Sequence, residues 1–195
     1  MAIDVTNLCG GPATLYYGVF GSMEPLYSAI TSPPNPAVWT DVGMTADGTA
    51  VLLEIDNTYT HYSAEQVVDP IAGRLSKRVI QVTATLQEAT LQNIQLALNQ
   101  LATISQGSGY SVLDPLTGSS ATQPTYTALL IDGWAPTTGT TETACRRRTV
   151  IRRSLSGSKI DHEWEKTKPV TYQTTWTGFY ISGSVPPYEI TDQTS

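Results

Sequence analysis

The chain has 195 residues, 40% hydrophobic and only 14% charged, enough to bury a core without disulfide or metal support and consistent with a single domain. Its formal charge of −6 is unevenly spread: residues 1–73 hold eight acids and no Lys or Arg, whereas residues 74–195 hold eleven bases and nine acids. The base-free part cannot grip nucleic acid through its phosphates, and no run approaches the ~20 apolar residues needed to cross a bilayer.

Threonine supplies much of the uncharged polar surface, with 29 copies, and β-branched side chains pack better on a pleated sheet than on a helix. The predicted class is therefore mainly β. Cys9 and Cys145 lack both CxxC spacing and a neighbouring His, so they read as ordinary thiols. Residues 1–10 have neither a basic start nor an apolar run, so synthesis in a cytoplasm is expected.

In chain order, residues 1–12 read as an N-terminal arm and residues 13–20 as a first strand. Three prolines within residues 32–36 break regular structure. Two short strands are predicted over 49–55 and 58–68, behind the Asp47-Gly48 turn signal and joined by a tight connection at Asp56-Asn57. Ile80, Val82, Ala84 and Leu86 alternate with polar residues, the period-2 pattern of a strand buried on one face. Leu91, Ile94, Leu98 and Leu101 then recur at helical spacing, which predicts one substantial helix over 90–104, capped by Thr90 and ended by Gly107 and Gly109.

Beyond it the sequence predicts a strand around 111–112, a turn at Asp114-Pro115, a polar loop through Gln123 and a strand over 125–131. Residues 137–143 are low in complexity. Arg146, Arg147, Arg148, Arg152 and Arg153 then crowd into 145–155. With a turn at 156–158 and a partner strand over 159–166, they form an expected charged hairpin, part of an insertion spanning about 136–168. Arg146, Arg148 and Arg152 share one strand parity, Arg147 and Arg153 the other, so both faces carry charge. Asp161, Glu163 and Glu165 are the acids expected across that hairpin. Residues 170–181 form a final strand, and an extended tail follows from about 182 to 195.

His61 and His162 lie in no Ser, Cys or Asp constellation suited to nucleophilic catalysis. Asp161-His162-Glu163 would send neighbours to opposite faces of a strand, which argues against a metal site. No phosphate-binding loop, dinucleotide fingerprint or HExxH pair occurs. No catalytic residue, cofactor or metal is expected. The Arg cluster favours ion pairing, within or between subunits, over phosphate binding. Trp39, Trp134, Trp164 and Trp176 keep a carbohydrate-binding β-sandwich open as a rival, which requires two Trp on one exposed face.

The run Trp39-Thr40-Asp41-Val42-Gly43, Asp47-Gly48 before a strand, Glu65-Gln66, Asp69-Pro70 and Thr85-Leu86-Gln87-Glu88-Ala89-Thr90 into Asn93 and Ala97-Leu98-Asn99 resembles the major tail tube proteins of long-tailed bacteriophages. The similarity covers about a third of the chain and leaves out the Arg-rich segment. It implies a β-sandwich or barrel flanked by a helix, closed into rings, hexameric by the likeness, that stack into a hollow tube. Such a tube conducts DNA during genome ejection without binding it specifically, surrounds a tape-measure protein, meets tail tip and terminator proteins, and belongs to the virion tail after assembly in a bacterial cytoplasm. By this likeness the strands between 49 and 86 line the inner barrel, so Glu54, Asp56, Glu65 and Asp69 are candidate lumen-facing acids. The five arginines are candidate inter-subunit contacts. A tail terminator or a type VI secretion tube component remains an alternative.

Overall fold

The computed structural model describes residues 11–48, 51–136, 145–157, 159–161 and 164–194. The expected arm, the low-complexity segment 137–143 and Glu163 therefore lie wholly or largely outside the described residues. In chain order the elements are β1 (Thr14–Val19), β2 (Thr40–Asp41), β3 (Leu52–Ala64), β4 (Val67–Leu86), α1 (Leu91–Ala97), β5 (Ala102–Gly107), β6 (Tyr110–Pro115), β7 (Thr127–Ala135), β8 (Cys145–Ser156), β9 (Tyr172–Gly178) and β10 (Tyr188–Asp192). The chain is mainly β. One antiparallel sheet runs β2-β1-β7-β8-β9-β4-β3, with β10 also paired to β8, and β5–β6 form a separate hairpin.

Both faces of the sheet's centre are covered. Leu129 and Ile131 of β7 join Leu15, Ile80, Val82, Leu86, Leu96, Ile151 and Trp176 in the larger core. Ala128 and Leu130, of the opposite parity, pack with Trp39 and Val150 on the other side. That is why residues 128–131 of β7 are a continuous apolar run rather than an alternating one. Ile80, Val82, Ala84 and Leu86 are all buried, and their alternation is that of a strand with one face on the core.

Several expected boundaries are corrected. The strands expected over 49–55 and 58–68 run together as one strand, β3, through Ala64, with Val67-Val68 already in β4, and Asp56-Asn57 is no turn. Asp56 pairs with Val79 and Asn57 with Arg78 in unbroken register, and the reversal falls at Glu65-Gln66. Asp56-Asn57 lacks the glycine that favours a tight hairpin turn. Its partner β4 is 20 residues long and carries Pro70 and Gly73 in its outer part, where β3 is its one strand partner and the register shifts, the kind of position in which a sheet tolerates them.

The helix is also shorter than its periodicity suggests. The Thr90 hydroxyl caps it by accepting from Asn93 N at 3.2 Å, as expected, but α1 has seven residues and ends before Leu98. Asn99 and Gln100 take φ of 54° and 60°, conformations that stop a right-handed helix. Residues 102–104, counted into the helix by their spacing, instead open β5, which pairs with β6. The buried helix face is Asn93, Leu96 and Ala97, while Leu91, Leu98 and Leu101 are half-buried. Asp114-Pro115 closes β6 rather than forming a turn, and Gly109, with φ of 84°, marks the reversal between β5 and β6.

The largest correction concerns the Arg-rich segment. It is no exposed hairpin but the interior strand β8, flanked by β7 on one edge and by β9 and β10 on the other. Residues 159–161 and 164–168 form no strand. Asp161 pairs with Lys159 and Glu165 with Lys168, so neither sits across from an arginine. The tail is likewise more than an extension, because its Tyr188–Asp192 stretch is a strand of the same sheet.

Candidate functional site

Beyond the sheet, β3 and β4 continue as a two-stranded hairpin. β9 accompanies β4 from Leu86 only to Gln81, so Asp56–Ala64 and the outer half of β4 project by about 30 Å at a strand's rise per residue. The face of the hairpin that continues the core is formed by Leu53 opposite Val82, Ile55 opposite Ile80 and Asn57 opposite Arg78, then Tyr59 opposite Leu75. A skipped residue, Ser76, whose hydroxyl donates to Thr58 O at 3.0 Å, keeps Tyr59 and Leu75 in step. Tyr59, Tyr62, Val67, Val68 and Ile71 are exposed.

The opposite face carries a polar row interrupted by Leu52, Val79 and Tyr62. Glu54 pairs with Gln81 and Gln81 with Thr177, and Leu52 pairs with Thr83 and Thr83 with Thr175. The two threonine hydroxyls lie 3.0 Å apart. Thr85 opposite Gln173 extends the row, and Asp56 adds a second carboxylate one pleat beyond Glu54. Lys77 and Arg74 stand on this face only further out, opposite Thr58 and Thr60. Of the four candidate lumen acids, Glu54 and Asp56 therefore share one face beside the sheet. Glu65 is in the hairpin turn and Asp69 near its tip, so the four do not form one patch. The Gln and Thr residues beside Glu54 are the other half of the 80–86 alternation whose apolar half marks the core.

The five arginines are held within the chain. Arg148 is 5% exposed and lies 3.3 Å from Asp132, while its guanidinium donates to Ala29 O at 3.1 Å and to Ser32 O. Arg146 stacks over Trp134 at 4.8 Å, with Asp132 3.8 Å away. Arg152 grips Glu24 at 2.5 and 2.9 Å, Glu189 at 2.6 Å and Pro186 O at 3.0 Å. The Glu24 hydrogen bonds raise its pKa above the ordinary guanidinium value. Arg147 makes a two-pronged bond to Asp192 at 2.6 and 2.7 Å, and Arg153 lies over Tyr126 at 3.8 Å and donates to Tyr180 O at 3.1 Å. Arg146 and Arg147, each 39% exposed at the side chain, keep more surface for a neighbour than Arg148 and Arg152, at 5% and 13%. Their acidic partners Glu24, Asp132, Glu189 and Asp192 come from segments far apart in sequence and carry no local signal.

The Trp39–Gly43 run and the Glu88–Asn93 run meet at one corner. Trp39 is buried and its Nε1 donates to Met23 O at 3.0 Å. Glu88 Oε1 accepts from Met44 N at 3.0 Å, and Asn93 Nδ2 donates to Val42 O at 2.8 Å and Glu88 O at 2.9 Å. Trp176 is buried too, Trp134 lies under Arg146, and Trp164 alone of the four stands largely exposed, so two Trp on one open face are not present. Among the described residues no helix is long and apolar enough to cross a membrane, and no group of three or more His, Cys, Asp or Glu is placed to hold a metal.

Compared with protein-family models and with curated proteins, the chain matches none.

Proposed function

We propose that this chain is a structural subunit that closes into rings, stacked as a phage-type tail tube, and that it carries no catalytic centre. The observation that carries the reading is the β3–β4 hairpin with its two unlike faces. A two-stranded ribbon is marginal alone in water, and here it exposes Tyr59, Tyr62, Val67, Val68 and Ile71 together with the edge of the 13-residue strand β3 that faces away from β4, open among the described residues. Isolated proteins blunt or cover long edges. Side-by-side closure of identical subunits covers them without a foreign partner.

The other face supplies the conduit. Glu54, Asp56, Gln81, Thr83, Thr85, Thr175 and Thr177 would present a hydrated lining bearing carboxylates, which repels phosphates and lets DNA pass without being held. The corner joining Trp39–Gly43 to Glu88 and Asn93 supports the likeness to tail tube proteins, because separated parts of that pattern meet in one place. The tape-measure, tip and terminator partners and a virion location follow from the same likeness. Negative-stain images of purified protein test the reading: rings or tubes with a central hole support it, and uniformly monomeric particles at all concentrations exclude it.

A further inference from the structure

We infer that the fork where β9 parts from β4 is a docking groove, and that its occupant is the N-terminal segment, residues 2–10, of a second copy of this chain. The inference rests on the self-assembly part of the proposed function but not on the tube. β9 follows β4 no further than Gln81 and then runs beside β8 from Ser154 to Ser156. The edge of β4 from Val67 to Val79 that faces away from β3 is thus left without a strand partner among the described residues. Between it and the loop leading to β10 lies a groove of about 550 Å³ lined by Leu75, Arg78, Ile80, Phe179, Tyr180 and Pro186, among others.

An open strand edge beside apolar side chains is the geometry that captures an extended segment by adding a strand. The lining holds one base, Arg78, and no acid. Residues 2–10 read Ala-Ile-Asp-Val-Thr-Asn-Leu-Cys-Gly, with one acid, no base, and Ile3 and Val5 on the same strand parity. Ile3 and Val5 suit the apolar wall of Leu75, Ile80 and Phe179, while Asp4, of the other parity, would face away from it.

Reach decides between the chain's own segment and that of a neighbour. Gly11 lies against Trp134, so close that a Cβ there would overlap the indole. Trp134 pairs with Arg146 of β8, whereas Gly178, in the groove, pairs with Ser154. Those positions are about 26 Å apart along β8. Ten residues span at most about 35 Å fully extended, so a segment that reached the groove in its own subunit would have almost nothing left to lay in it. A second copy has no such constraint.

The test uses the full chain with p-benzoylphenylalanine at position 180, in place of the 71%-exposed Tyr180, made in ¹⁴N and ¹⁵N forms, mixed and irradiated. The expected result is mixed-isotope cross-links between position 180 and residues 2–10. Cross-links confined to one chain, or running to other segments of the neighbour, overturn the inference. Loss of the apolar contact is the second arm: the Ile3→Asp, Val5→Asp double variant should weaken self-association by about ten-fold or more, and Asp4→Asn, on the other parity, should leave it unchanged. Unchanged association in the Ile3→Asp, Val5→Asp variant overturns the docking. Dimers carrying the cross-link would leave this inference standing while removing the tube, and tubes lacking it would do the reverse.

Discussion

The carboxylate of Glu88 occupies the space that a side chain at position 43 would need: a Cβ on Gly43 would lie 2.2 Å from Glu88 Cδ. Gly43 has φ of 81°, its N–H donates to Asp41 Oδ1 at 2.8 Å, and Glu88 accepts from the next amide, that of Met44. Gly43→Ala therefore combines a left-handed backbone with displacement of that carboxylate and should cost about 1–3 kcal/mol. Glu88→Gln keeps an acceptor for Met44 N and should cost less. Thermal unfolding of both variants checks the order.

The helix gives a second prediction. Leu96 is fully buried in the main core while Leu98 is half-buried, so Leu96→Ala should lose about 2–5 kcal/mol and Leu98→Ala clearly less. Urea denaturation compares them, and an equal loss would mean that α1 packs by its periodic stripe instead.

Arg148 and Asp132 give a third. Both are nearly buried, and removing Arg148 leaves the Asp132 carboxylate with only the half-exposed Arg146, 3.8 Å away, to offset it. Arg148→Met should destabilise by about 3 kcal/mol, the low end for a broken buried pair, and Arg148→Met with Asp132→Asn should recover part of it. A double-mutant cycle reads the coupling.

Acid should loosen the C-terminal strand first. Hydrogen bonds from Arg152 and then Tyr27 lower the pKa of Glu189, and the bond from Arg147 lowers that of Asp192. Carboxylates with lowered folded pKa stabilise above their unfolded value and lose that contribution as pH falls through the folded one. Amide protection of residues 188–192 should thus be intact at neutral pH and fall below the usual carboxylate range before that of β7. Asp192→Asn should shift protection at neutral pH toward the acid behaviour.

The sequence exposes this fold unevenly. The 80–86 alternation marks both a core strand and, through its polar half, the face that holds Glu54, because a period of two is a local property of one strand. The helix boundary is hidden, since Leu101 and Ile104 fit a helical spacing equally well when they sit beyond a left-handed Asn99-Gln100 pair. The place of the arginines is hidden for a different reason. Arg148 and Arg152 are interior because Asp132, Glu24 and Glu189 arrive from other strands and loops, and such long-range neutralisation leaves no trace near 145–155. A strand with five guanidiniums reads as solvated until its partners are known. The hairpin's length is obscured by Asp56-Asn57, which resembles a turn but sits in continuous register.

The most direct measurement of the central claim is imaging of the purified chain at rising concentration, followed by incubation of the assemblies with duplex DNA at physiological salt. The account predicts rings or stacked tubes with a central hole, abolished when Tyr59 and Ile71 are both changed to Asp on the hairpin, and no DNA retained by the intact tubes. Monomers at every concentration, or tubes that hold DNA tightly and release it with salt, would contradict it.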